Sequence, residues 1–242
     1  MLLASAAFAQ RGGRGGAAPS ARQNAPMDLT GHWVSVISED WEFRMVTPDK
    51  GIFEVLTLNN EGRRVGQLWD PAKDEAAGEQ CRAYSAANIM RLPGRVRISW
   101  ENDTTLRMDT DTGTQTRLLH FGTPAPANTQ PSWQGYSVAE WEVAGGGRGA
   151  RGGAAAPRGG TLKIVTTHLR PGYVRKNGAP HSDRAVVTEF IDLLPLGNGD
   201  SWMSITTKVD DPVYFSRPLV TTSDFKKLPD ATGWNPTPCS AR

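Results

Sequence analysis

The sequence predicts an all-β fold, an antiparallel barrel or sandwich of roughly eight to ten strands. Three observations lead there. Apolar and polar residues alternate in short runs: Val96, Ile98 and Trp100 fall on one face, Arg95, Arg97 and Ser99 on the other. Turn-forming stretches such as "ENDT", "DTGT" and "PLGNGD" separate these runs at short intervals. No internal repeat of propeller or solenoid period is visible.

The elements follow in order. Residues 1–9 read as a truncated signal peptide, with Ala7-Phe8-Ala9 as the A-x-A cleavage pattern and Gln10 as the mature start. Residues 10–27 are rich in Gly and Arg, cannot bury apolar surface, and are expected to be disordered. A single barrel domain is expected over 28–228. Gly31-His32-Trp33 opens its first extended run, and Trp33 could plug a barrel end. In 57–80, Leu58, Val65, Leu68 and Trp69 recur at helical spacing, and Asp70-Pro71 reads as an N-cap followed by proline. One or two short helices therefore interrupt the strands. "CRAYSAANIMRLPG" connects to a meander, "RVRISWENDTTLRMD" and "QTRLLHF". "GYSVAEWEV" and "GTLKIVTTHL" form two strands joined by a disordered insertion at 145–160. "RAVVTEFIDLL" and "SWMSITTKV" form another hairpin, and "DDPVYFSRPLVTTSDFKKL" reads as an edge segment broken by proline. Residues 229–242 are a Pro-rich tail.

Charge and cysteine content narrow the function. The net charge is +2, from 27 Lys+Arg against 25 Asp+Glu, and the Gly-rich tracts hold six of the 20 arginines, which accounts for the excess. The remaining near-neutral body argues against a nucleic-acid partner, and the RGG-like tracts read as spacers. No run of 18 apolar residues predicts a membrane span. Two cysteines, Cys81 and Cys239, suit one disulfide in an oxidising compartment, which would pin the tail; the alternative is two free thiols. C-x-x-C is absent, so redox catalysis is not expected.

The candidate site starts from Glu189. In a strand, Val187, Glu189, Ile191 and Leu193 share a face, opposite Met203, Ile205 and Thr207 of the next strand. If these faces point into a barrel cavity, Glu189 could act as a general acid or base, with His181 in the loop "NGAPHSD" as its partner. Alternatively Glu189 forms an ion pair with Arg117, Arg175 or Arg184, or the faces are inverted and it is solvated. His120 shares a face with Thr114, Thr116 and Leu118, and His168 with Leu162, Ile164 and Thr166, so both are candidates to line the interior. Trp33, Trp100, Trp202 and Tyr214 complete the expected ligand-binding set. The histidines lack H-x-H and H-x₃-H spacing, so no metal is expected. Neither G-x-S-x-G nor a phosphate-binding glycine loop occurs, and no cofactor is expected.

Several segments together carry a family resemblance: "TGHWVS", "EQCRAYSAANIMRLPGRVRISWE", "GTQTRLLHF", "NGAPHSDRAVVTEF" and "SITTKVDDPVYFSRPL". They resemble a group of uncharacterised secreted proteins of acidobacteria and some proteobacteria, over most of residues 28–227. The resemblance implies a lipocalin-like β-barrel, and "LTGHW" is similar to the Gly-x-Trp opening of lipocalins. It implies no activity. Three readings follow. The first is a secreted or periplasmic protein that holds a small apolar or amphipathic molecule in the barrel. The second is a cofactor-free enzyme with a Glu/His acid–base pair in the same cavity. The third is an envelope protein with a packed core.

Overall fold

The alternation in the sequence becomes a closed sheet. A computed structural model describes residues 18–143 and 159–242. The expected signal peptide and all but Gly159 and Gly160 of the expected insertion lie outside the described residues. The barrel strands are β1 (Gly31–Val36), β2 (Arg95–Asn102), β3 (Thr105–Thr110), β4 (Gln115–Phe121), β5 (Tyr136–Glu142) and β6 (Thr161–Thr167). After a small hairpin, β7 (Gly172–Arg175) and β8 (Ala179–His181), come β9 (Val186–Pro195), β10 (Ser201–Asp210) and β11 (Leu219–Leu228). The closed order is β1-β11-β10-β9-β6-β5-β4-β3-β2.

Three expectations change. The barrel is not wholly antiparallel, because β4 and β5 pair in parallel from Leu119↔Ser137 to Phe121↔Ala139. Their connector, with Pro124, Pro126 and Pro131, runs back along the barrel before β5 begins. Gly135 ends that connector at φ 59, where an added Cβ would sit 2.3 Å from the Thr167 carbonyl oxygen. Second, β11 is not an edge. Pro212 and Pro218 both precede it, and its ten residues pair with β10 and with β1. Third, the helices number three among the described residues: α1 (Trp41–Met45), α2 (Asn60–Gln67) and α3 (Pro71–Ala76). The Asp70 side chain caps α3 by accepting from Ala72 N, with Pro71 in the first turn, as the sequence predicts.

Residues on either side of the barrel strands are held to this body. Trp141 Nε1 donates to the Ala21 carbonyl at 3.0 Å, and Met27 packs on the core, so part of the stretch 10–27 has a place. The tail is joined by the Cys81–Cys239 disulfide, by a bridge between Thr112 and Thr237, and by burial of Ala241.

Inward side chains fill the barrel. One apolar cluster includes Trp33, Ile98, Met108, Leu119, Leu162, Ile191, Ile205 and Phe225. Trp33 is wholly buried within it and donates Nε1 to the Leu29 carbonyl at 2.9 Å. A second cluster joins Val187, Val209 and Leu219 to Phe53, Leu58, Leu169, Val174 and Phe215. A polar layer lies between them. On β9, Glu189 stands between Val187 and Ile191; on β10, Thr207 stands between Val209 and Ile205. Arg117 on β4 grips Glu189 by donating from Nη1 and Nη2 to its two carboxylate oxygens, at 3.0 and 2.5 Å, and both side chains are buried. Thr166 Oγ1 accepts from Arg117 Nη2 at 3.4 Å and lies 2.7 Å from Ser137 Oγ. Of the three arginines the sequence offers as partners, Arg117 is the one used.

Breaking such a pair strands a buried charge. Glu189→Gln should destabilise the fold by about 3–5 kcal/mol, whereas Arg117→Met with Glu189→Leu should recover most of that loss. Urea denaturation of the three proteins checks this, and a neutral Glu189→Gln would show that the pair contributes little. The disulfide spans a sequence separation of 158 residues. Cys239→Ser should cost about 2–5 kcal/mol and open the tail to limited proteolysis.

Candidate functional site

The end of the barrel beyond Val187 and Val209 is covered by a cap. It comprises α1 to α3, two 3₁₀ turns (Gln80–Tyr84 and Ile89–Arg91) and the β7–β8 hairpin. Cavities lie in the cap, and the buried clusters occupy the barrel core beneath.

One cavity of about 250 Å³ is lined by four cations, Arg44, Arg91, Arg175 and Lys176. Phe43, Met45, Tyr84, Leu92 and Pro93 supply much of the rest of its wall. Arg44 follows Phe43 on α1; it pairs with Glu39 and donates Nε to the Arg91 carbonyl at 2.9 Å. Arg91 closes the second 3₁₀ turn and pairs with Asp40 at 2.8 Å. Both side chains are at least nine-tenths buried, yet Arg44 Nη2 and Arg91 Nη1 find no hydrogen-bond partner among the described residues. Arg175 ends β7 with its guanidinium 4.7 Å from the Phe43 ring centre. Its only acceptors among the described residues are the Ile52 and Glu54 carbonyls, at 3.4–3.5 Å. Burial, then repulsion from Arg91, pulls its pKa down to about 10, so it remains charged at neutral pH. Lys176 donates to Tyr84 OH at 3.2 Å and to the Arg242 carbonyl at 3.0 Å. Glu39 pairs with Arg44 and Asp40 with Arg91, and Asp224 and Glu54 lie close enough to act on Arg44 and Arg175. Among the described residues, the lining of the cavity itself carries the four cations and no carboxylate.

A neighbouring cavity of about 310 Å³ reaches His181, Tyr173, Asp74, Arg82, Trp69 and Tyr214. Asp74 accepts from Trp69 Nε1, Tyr173 OH and Arg82 Nη1 at 3.1, 2.8 and 3.0 Å. Burial pushes the Tyr173 phenol up to about 12, which keeps it a donor. His181 is wholly enclosed. Its Nδ1 lies 3.1 Å from the Ser182 carbonyl, which can only accept, so Nδ1 carries the proton. Nε2 therefore accepts from Ser85 Oγ at 2.8 Å. Asp211 fixes the same loop by accepting from Ser182 N and Oγ at 2.5 and 2.8 Å.

The residues expected to form one site are dispersed. Glu189 is held by Arg117 and His181 by Ser85 and Ser182, so the expected acid–base pair shares no hydrogen bond. His120 is on the opposite face from the buried Arg117, Leu119 and Phe121; it stacks on Tyr136 at 4.6 Å outside the barrel. β6 runs inward through Leu162, Ile164 and Thr166, but His168 follows its end at φ 57 and turns to Thr167 Oγ1. Trp202 is on the outward register of β10, where Met203 and Ile205 point in. Trp100 tilts against Phe121 at the rim, 5.5 Å between ring centres, while Trp33 is core. Tyr214 lines the His181 cavity.

The chain matches no protein-family model and no curated protein. The resemblance to secreted acidobacterial proteins therefore rests on the quoted motifs. Sequence reading missed the basic cavity because its cations come from three separate segments, and Arg44, Arg91 and Arg175-Lys176 share no spacing. The only local sign is Arg44 inside "WEFRM", a charge amid aromatic and apolar neighbours.

Burial lowers the His181 pKa below its usual value. Folding then favours the neutral ring. The stability this contributes is complete above the unfolded value of about 6.5 and is lost as pH falls towards the folded one, by up to about 1.4 kcal/mol per pH unit. Denaturation from pH 8 to pH 5 should show that slope, and His181→Gln should reduce it. An unchanged slope would assign it to other groups, such as His120, whose pKa burial also lowers.

Proposed function

We propose that the protein binds a small anionic molecule in the cap cavity, with a lipocalin-like barrel as the rigid frame beneath. The observation that carries this reading is the set of four cations on one cavity wall, Arg44, Arg91, Arg175 and Lys176, with no carboxylate among the lining residues; beside them Arg44 Nη2 and Arg91 Nη1 are buried without a partner among the described residues. Holding four cations together costs free energy through desolvation and repulsion, and an oxyanion would offset both. The ligand site thus moves from the barrel interior, where the sequence suggested it, to the cap. The Cys81–Cys239 bond supports a secreted or periplasmic place of action. Among the described residues no helix is long and apolar enough to cross a membrane.

Calorimetric titration with benzoate and with uncharged benzamide tests the reading. Benzoate should bind and benzamide should not, and Arg175→Met should weaken benzoate at least tenfold while keeping the far-ultraviolet spectrum of the fold. Inorganic phosphate, titrated alongside, ranks the two oxyanion types. Equal binding of benzoate and benzamide, or an unaffected Arg175→Met, would overturn the proposal.

A further inference from the structure

The mouth of the basic cavity carries apolar surface. Of the ten large apolar side chains exposed among the described residues, five fall within one short segment: Trp41, Met45, Val46, Ile52 and Val55. Trp41 and Met45 are four apart on α1 and so share a face, and Met45 itself lines the cavity. The second part of the segment meets Arg175, a residue of the cavity wall, because Ile52 and Glu54 offer their carbonyls to it. Both parts therefore converge on Arg175, whose guanidinium also stacks on Phe43.

Val55 adds an independent observation. It is 63% exposed and stands at φ 61, third in a turn that Leu56 N closes on the Phe53 carbonyl at 3.2 Å. A β-branched residue is strained there, and glycine or asparagine is the usual occupant. The fold thus holds an isopropyl group in solvent in a costly conformation, beside other exposed apolar groups. Strain of this kind collects at ligand clamps.

We infer that the ligand is amphipathic: its anionic head enters among Arg44, Arg91, Arg175 and Lys176, and an apolar tail leaves across Trp41, Met45 and Val46. This rests on the proposed anion site and adds the class of molecule. An anionic bilayer fits less well. Exposed Glu42, Asp49 and Glu54 are interspersed with the apolar groups and outnumber the one exposed cation of the segment, Lys50, while four other cations line the recess. That distribution repels a broad negative surface but admits one negative group at the centre.

The test holds the head constant and varies the tail. Butyrate and decanoate are titrated against the wild-type protein and against Trp41→Ser/Val46→Ser, a variant altered only at exposed positions. Wild type should bind decanoate at least tenfold more tightly than butyrate. The double variant should lose most of that gain and keep its butyrate affinity. Equal affinity of wild type for both chains would overturn the tail and leave the anion site standing. No binding of either, together with no binding of benzoate, would overturn both. Sedimentation with phosphatidylglycerol vesicles is the competing outcome. Association abolished in the double variant, without a chain-length effect, would assign the rim to a membrane surface and overturn the inference.

Discussion

The structure depends on one short strand, β1, hydrogen-bonded on both sides. Val34 faces Lys226 of β11 across one flank and Arg95 of β2 across the other. Removing β1 would leave β2 and β11 as open edges with unpaired backbone groups. Closure also fixes the inside. Once the ring is complete, alternate residues on every strand must fill a space of set diameter, and large side chains such as Trp33 and Phe225 meet there. The cap then has a rigid rim on which to rest.

The polar layer around Arg117 and Glu189 gives that closed ring a marker of register. A slip of one residue in β9 would move Glu189 to the outer face and bring Thr188 or Phe190 inside, stranding the guanidinium in the core. Apolar neighbours alone would tolerate such a slip more readily. Two apolar clusters with an ion pair between them thus define depth within the barrel as well as inside and outside.

Much of this was legible in the sequence. Period-two alternation located the long strands, and the face shared by Val187, Glu189 and Ile191 is the inner one. Asp70-Pro71 announced a helix start, and two cysteines in a chain of this length announced their bond. What failed had physical causes. Alternation fixes two faces but not which is inner when both carry mixed residues, so His120 reads as a candidate for the interior although it faces out. Prolines in "DDPVYFSRPL" suggested an edge, but they end before the strand begins. The parallel β4–β5 pair depends on where a connector runs, which local spacing does not encode. The cavity is less legible still. Its cations are assembled by tertiary packing, and only the cap brings Arg44 beside Arg91 and Arg175.

The β1–β11 pairing joins Trp33 to Lys227, 194 residues further along the chain. A chain that emerges from the ribosome with its N-terminus first cannot complete the ring until its last strand has appeared. Until then β1 can pair only with β2, and the disulfide must also wait for Cys239. Such distant contacts make closure slow compared with the central hairpins. An unclosed chain of this kind stays open to a chaperone, and it commits to its final shape only once β11 is available to pair with β1.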